Sequence, residues 1–201
     1  MWYRPPTFPA ILLVALLLVA LGNIGAAAAR NPAPHLARRV LSQDKALALE
    51  IRGKSADWAP ELWLGPARDS ASKHLLFDFE RPISSAEFTA DDRYIVVFWG
   101  GGALGQLITV FSKRSSSEYE MQKVEIETLA WNAFKRHNHL PGKAEFVTLY
   151  CHRVAVEGSS TLLFYIDGSY APAGRRQTPL APVYFKYSLE KQRIEIIPKP
   201  H

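Results

Sequence analysis

The chain has a single cysteine, Cys151, among its 201 residues. One thiol excludes a disulfide within the chain, although small exported domains often depend on disulfides for stability. The fold must therefore be stabilised by its packed core. Leu149 and Cys151 occupy alternate positions of a strand-like run, so they share one face. We expect Cys151 to be a buried small hydrophobe rather than a reactive thiol.

Several catalytic signatures are also missing. No serine stands in the G-x-S-x-G pattern of the nucleophile elbow. Cys151 and His152 are adjacent on a predicted strand and point to opposite faces, so they cannot form a catalytic pair. Asp91 and Asp92 fall in a turn, where carboxylates usually accept hydrogen bonds from backbone N–H groups. The sequence therefore predicts no catalytic residue.

Charge of one sign is not concentrated enough to indicate nucleic-acid binding. Lys and Arg number 24 against 19 acidic residues, which gives a formal net charge of +5 at pH 7. A mild, dispersed excess is compatible with anionic surfaces of a cell envelope but not with a dedicated nucleic-acid site.

Residues 1–29 have the organisation of a secretory signal peptide. Arg4 precedes the apolar run Ala10–Ile24, and the small residues Gly25–Ala29 supply an A-x-A cleavage pattern. Residues 1–29 contain no paired arginines, which argues against export of a folded, cofactor-loaded protein. We expect a secreted or periplasmic protein with a signal peptide at 1–29, a linker at 30–36 and a single β-rich domain at 37–201. An uncleaved N-terminal membrane anchor is the alternative, because Ala10–Ala29 holds twenty uncharged residues.

The remainder alternates between strand-like runs and turn residues, so the domain is predicted to be mainly β. Helical periodicity occurs once, near 127–138, where Leu129, Ala130, Ala133 and Phe134 mark one buried stripe. The predicted strands are 46–52, 61–64, 74–79, 94–99, 106–112, 119–126, 145–156, 161–167, 183–188 and 193–197.

A faint repeat accompanies these strands. Residues 86–97 resemble the unit of strand, Asp-containing turn and strand in WD-repeat-like β-propeller families, and residues 41–49 form a fainter second copy. A third turn, at Lys143, follows at a similar spacing. The resemblance implies about three propeller-like units, fewer than the ~4 to 8 blades of a closed propeller. We therefore expect an open antiparallel meander or a sandwich, with the helix or a loop covering a sheet edge.

The segment Gly100–Gly105 matches the G-x-G-x-x-G fingerprint of dinucleotide-binding folds, and Glu125 stands twenty residues later. That fingerprint requires a helix after its last glycine. The run Gln106–Phe111 is instead β-branched and strand-like. We interpret the glycines as a hairpin loop and expect no cofactor.

Two clusters remain as candidate sites. His137, His139 and His152 are the candidate metal ligands, because neutral imidazoles bind zinc or copper. Tyr170, Arg175 and Arg176 lie in a long predicted loop from Ser169 to Pro182 and are the candidate ligand-binding residues.

Three functions remain open. The first is an exported, non-catalytic binding or interaction protein whose partner is another protein or an envelope component, with homo-oligomerisation as a further possibility. The second is an envelope hydrolase or metal-binding protein that uses His137, His139 and His152. The third is a membrane-tethered accessory subunit.

Overall fold

The computed structural model describes residues 35–53, 60–100, 105–140, 146–171 and 176–200. The predicted signal peptide, 1–29, lies outside these ranges. Within them the fold is mainly β, as predicted, with three four-stranded antiparallel sheets and one helix. The helix in this part of the chain is too short and too polar to cross a bilayer.

Each sheet is a meander whose strands follow chain order. Sheet 1 contains β1 (His35–Leu41), β2 (Leu47–Gly53), β3 (Pro60–Pro66) and β4 (His74–Asp78). Sheet 2 contains β5 (Ile83–Phe88), β6 (Tyr94–Gly100), β7 (Gln106–Lys113) and β8 (Tyr119–Met121). Sheet 3 contains β9 (Phe146–Glu157), β10 (Thr161–Tyr170), β11 (Thr178–Ser188) and β12 (Arg193–Ile197). Helix α1 (Ile126–His137) connects sheets 2 and 3.

Sheet 2 lies between the other two because both of its faces are apolar. Tyr94–Phe98 of β6 is buried at every position. Side chains alternate across a strand, so Ile95 and Val97 pack with sheet 1, whereas Val96 and Phe98 pack with sheet 3 and α1. The core is therefore two apolar layers that share one central sheet.

The predicted helix is confirmed, and Ala130, Ala133 and Phe134 of its predicted stripe are buried, whereas Leu129 is half-buried and Ile126 completes the stripe. These positions recur at helical spacing and pack into the layer between sheets 2 and 3. The strand predicted at 119–126 ends earlier, at Met121, because the chain leaves the edge of β7 to enter this helix.

The two repeated turns have matching geometry. In the first turn, the Ser42 hydroxyl donates to the Asp44 carboxylate and accepts from the Leu47 N–H. In the second turn, the Thr89 hydroxyl donates to the Asp91 carboxylate and accepts from the Tyr94 N–H. Lys45 and Asp92 adopt φ values of 58° and 55° at equivalent places. The two copies of the sequence repeat therefore share one turn geometry.

The third unit is offset from its predicted position. Lys143 lies outside the described residues, and the turn between the first two strands of sheet 3 contains Gly158 instead, with φ 58°. The spacing from Asp92 is longer because α1 is inserted between sheets 2 and 3.

Hydrogen bonds between the turns align the three sheets. The Asp92 carboxylate accepts from the Gln43 N–H at 2.9 Å, and the Ala90 N–H donates to the Gly158 carbonyl at 3.1 Å. The Tyr119 hydroxyl donates to the Asp92 carbonyl at 2.5 Å. The middle turn is thus bonded to both of its neighbours.

The first strands of sheets 1 and 2 were the hardest to predict. The strand β1 is missing from the predicted set and begins at His35, inside the expected linker. The strand β5 is also missing from that set, and the sequence indicated it only as the first strand of the repeat at 86–97. Both lie at sheet edges and carry polar residues, so neither has the continuous apolar run that identifies a buried strand.

Asp92→Asn tests the bond between the first two turns. Asn tolerates the left-handed backbone of this position, so the substitution removes the charge without straining the turn. We expect the free energy of unfolding in urea to fall by about 2 kcal/mol, since charge-assisted hydrogen bonds are lost. The control, Glu118→Gln in an exposed hairpin turn, should change it by less than about 0.5 kcal/mol. Equal effects of the two substitutions would contradict the role of Asp92.

Candidate functional site

The three packed sheets leave two outer faces, one on sheet 1 and one on sheet 3, and these faces differ in how they are covered. The outer face of sheet 1 is covered by the β3–β4 connection, residues 67–73. Ala48 and Glu50 project to this face, yet both are buried. On the outer face of sheet 3, by contrast, Tyr165, Asp167 and Tyr184 are only half-buried.

A buried ionic cluster holds the cover on sheet 1. The Glu50 carboxylate lies 3.1 Å from Lys73 Nζ and 2.6 Å from Arg52 Nη2, and it accepts from the Ser70 hydroxyl at 3.2 Å. The side chain of Lys73 is 0% exposed and that of Glu50 is 5% exposed. Burial alone would raise the pKa of Glu50, but the hydrogen bonds from Arg52 and Lys73 hold it below its ordinary value. Because each buried charge has a partner, this cluster is a structural cap rather than a site.

The outer face of sheet 3 carries a row of aromatic rings. His152, Tyr165 and Tyr184 occupy directly opposed positions on β9, β10 and β11. Tyr150 extends the row along β9, with its ring 6.1 Å from that of His152. We call these four residues, together with Asp167, the aromatic face.

Neighbouring rings of the aromatic face contact one another, and the His152 and Tyr165 rings stack. The His152 and Tyr165 rings are 4.5 Å apart and inclined by 15°, and the Tyr165 and Tyr184 rings are 5.2 Å apart. Such contacts are worth about 0.5–1.5 kcal/mol per pair beyond area burial. Of these pairs, His152 and Tyr165 therefore lie nearly face to face, whereas Tyr184 meets Tyr165 at a tilt.

Asp167 supplies the charge of the aromatic face. Its Oδ1 lies 3.2 Å from His152 Nε2, and the two side chains are 35% and 39% exposed. Burial, with the nearby Asp167 carboxylate, raises the pKa of Tyr165, so this phenol stays neutral and able to donate. A shallow depression of about 330 Å³ borders the row and is lined by Tyr150, Asp167, Gly168, Ser169, Pro179, Leu180 and Pro182.

The structure does not bring the three candidate metal ligands together. His137 is in the last turn of α1, and His139 follows it with φ 51°. His152 instead projects from the outer face of sheet 3 toward Asp167. Among the described residues no three His, Cys, Asp or Glu side chains are grouped so as to hold a metal ion.

The candidate loop after β10 is shorter than predicted. β10 continues through Tyr170 and β11 begins at Thr178, so the loop does not span Ser169 to Pro182. Pro179 and Pro182 are tolerated because β12 pairs only with Tyr184–Ser188, which leaves this half of β11 at an edge. Tyr170 is half-buried and Arg176 is exposed, whereas Arg175 lies outside the described residues.

The strands on either side of the glycine-rich segment pair as a hairpin, as predicted. β6 and β7 pair antiparallel as far as Gly100 and Gln106, and a strand follows Gly105 where a dinucleotide-binding fold needs a helix. Gly101–Leu104 lie outside the described residues. The conditions of the cofactor fingerprint are not met.

Cys151 is buried in the layer between sheets 2 and 3, where burial raises the pKa of its thiol. This confirms the prediction of a small hydrophobe rather than a reactive thiol. His152 faces the opposite side of the sheet, also as predicted.

Sequence comparison adds no identification. No protein-family model matches this chain, and no curated protein is significantly similar to it.

Gly105→Ala tests the close contact between sheets 2 and 3. A Cβ at this position would lie 2.6 Å from the Cys151 nitrogen, whereas a Cβ at Gly158 would meet nothing within 4 Å. Both glycines have positive φ, so both alanines are strained by about 1–2 kcal/mol. We expect Gly105→Ala to lower the thermal midpoint several degrees more than Gly158→Ala does. Identical midpoints for the two variants would refute the contact.

Glu50→Gln tests the cap on sheet 1. The substitution leaves Lys73 buried without a counter-charge, and we expect unfolding free energy at pH 7 to fall by about 3 kcal/mol. The double variant Glu50→Gln, Lys73→Met should recover much of that loss. Because the folded pKa of Glu50 is lowered, its contribution is complete above the unfolded value near 4.5 and disappears as pH falls further. Urea titrations from pH 7 to pH 3 should therefore show a shallower acid decline for Glu50→Gln than for the wild type.

Proposed function

We propose that this protein is an exported, non-catalytic interaction module that binds a protein partner through the aromatic face of sheet 3. The single observation that carries the proposal is the half-buried row of His152, Tyr165 and Tyr184 in direct register across three strands. Export rests on the signal-peptide pattern of residues 1–29.

The chemistry of the row favours a protein surface as the partner. Tyrosine offers a large apolar body with a polar tip at low conformational-entropy cost, and it is enriched at protein–protein interfaces. Stacking fixes the rings before any partner arrives, which lowers the ordering cost of association. A sugar ring would instead need an exposed aromatic face to stack on, and the facing sides of the His152 and Tyr165 rings are occupied by each other.

The size of the surface is adequate. Four strands spaced by ~4.8 Å, taken at the ten-residue length of β10 with ~3.3 Å per residue, give a sheet face of roughly 600 Å². A specific interface buries ~800 Å² on each partner. Sheet 3 can therefore provide most of one interface, with the depression beside Asp167 as a place for a protruding partner side chain.

Site-specific photo-crosslinking tests this proposal. A photoreactive phenylalanine analogue replaces Tyr184 on the aromatic face or, as the control, Leu75, which is exposed on sheet 1. In cells that export the protein, we expect one defined protein adduct from position 184 and none from position 75. Unmodified wild-type protein should compete with the adduct. The double variant Tyr165→Ala, Tyr184→Ala should compete at least thirty-fold less well, because truncating an interface tyrosine costs ~2 kcal/mol or more.

Three results would contradict the proposal. Equal adducts from both positions would show non-specific contact, and undiminished competition by the double variant would remove the role of the tyrosines. An adduct with a polysaccharide would replace the protein partner with a carbohydrate. Circular dichroism of the double variant excludes loss of folding as the cause.

A further inference from the structure

A second surface lies at the edge of sheet 2, where β7 is longer than its neighbour. β8 pairs only with Phe111–Lys113 of β7. The first half of β7, Gln106–Val110, therefore runs beside chain that is not a strand, residues 122–125. This half-strand is an incomplete edge in the middle sheet of the stack.

The hydrogen bonds along this edge show how it is occupied in the free protein. The Gln122 N–H still donates to the Val110 carbonyl at 2.8 Å, as a continuing strand would. The outward N–H of Ile108, two residues back along β7, donates instead to the carboxylate of Glu127 from the first turn of α1. A side-chain oxygen thus takes the place of the carbonyl of a missing strand.

A cavity of about 440 Å³ opens between this edge and the start of α1. The indole N–H of Trp99 donates to the Thr109 hydroxyl at 2.9 Å, which fixes one wall. We call this cavity the β7 groove. It is lined by Trp99, Leu107, Ile108, Thr109, Val110, Met121, Gln122, Lys123, Val124, Glu125, Glu127 and Thr128.

We propose that the β7 groove binds an extended peptide with apolar residues at alternate positions, which adds as a strand beside Gln106–Ile108 and takes the Ile108 N–H from Glu127. The Gln122 N–H keeps the Val110 carbonyl. Outward backbone groups of a strand recur every two residues, about 6.6–6.8 Å apart, and only another extended backbone matches that spacing. The apolar walls accept the side chains that alternate toward the groove. Lone carboxylates at sheet edges are a common guard against unwanted pairing, and Glu127 is such a guard that a specific peptide displaces.

The environment of Glu127 supports its displacement. Burial raises the pKa of this carboxyl, although the bond from Ile108 partly opposes the rise. A desolvated carboxylate gains hydration when it leaves the edge, and this gain offsets part of the lost hydrogen bond.

Peptide binding to the purified protein tests the inference. The probe is a fluorescein-labelled, terminally blocked peptide in which valine and threonine alternate over six positions between two lysines. Its control is the same peptide with alternate backbone nitrogens methylated, which prevents strand pairing but keeps the side chains. We expect the probe to bind by fluorescence anisotropy, with amide shifts at Ile108 and Val110 by NMR, and the methylated peptide to bind at least ten-fold more weakly.

Variants assign the binding to the β7 groove. Glu127→Ala should tighten binding about ten-fold because the competing acceptor is removed. Leu107→Asp should abolish binding, and Met121→Asp repeats that test at an exposed groove position that leaves β7 unchanged. Leu75→Asp on sheet 1 is the matched control and should have no effect. The aromatic-face variant Tyr165→Ala, Tyr184→Ala should also bind the peptide normally, which separates this site from the proposed function.

Three results would overturn the inference. Equal binding of the methylated peptide would make the groove an apolar pocket without strand addition. Amide shifts confined to sheet 3 would move the site to the aromatic face. Failure of both the wild type and Glu127→Ala to bind would show that the edge accepts no added strand.

Discussion

The two-sided burial of sheet 2 is the constraint on which the rest of the structure depends. Every residue from Tyr94 to Phe98 is buried, so each face of this sheet must be covered by another layer. Sheet 1 covers one face, and sheet 3 with α1 covers the other. Once three sheets are stacked in this way, two outer faces are left over. Their treatment distinguishes the structural end of the molecule from the end that we propose is functional.

Apolar packing alone does not set the alignment of stacked sheets, because the hydrophobic effect has no direction. The turns supply that direction. Asp92 bonds to the first turn through its carboxylate, and its own backbone carbonyl is held by Tyr119. Ala90 of the same turn bonds to Gly158 of sheet 3. The polar contacts between turns thus fix, at one end of the stack, an arrangement that the core layers stabilise but do not specify.

The predictable parts of this fold are those whose signal is local. The α1 stripe, the β6–β7 hairpin and the burial of Cys151 all follow from patterns within a few residues. The strands β1 and β5 were difficult because edge strands carry polar residues on both sides. The third turn does not keep the spacing of the first two, because the predicted helix lies between sheets 2 and 3 and lengthens the chain between their turns.

The aromatic face was missed for a different reason. Tyr150, Tyr165 and Tyr184 are each visible in the sequence, but their common surface depends on the pairing register of three strands. In β10 the adjacent residues Phe164 and Tyr165 are both aromatic, so composition does not decide which one faces the core. The alternation of apolar residues in β9 and β11 indicates which rings face outward, provided that the strands are aligned correctly across the turns. A one-residue error in that alignment moves the rings to opposite faces.

The choice of tyrosine on the outer face of sheet 3 is itself informative. A sheet face that is exposed to solvent needs only charged or polar side chains. The same face has two, Lys186 and Glu195, which lie directly opposite each other on β11 and β12. Sheet 1 takes the other course and covers its outer face with its own chain over Glu50. Neither solution requires ring-bearing residues with exposed apolar bodies. The stacked row gains its full apolar burial only when another surface covers it, which is the physical reason to assign the aromatic face to a partner rather than to solubility.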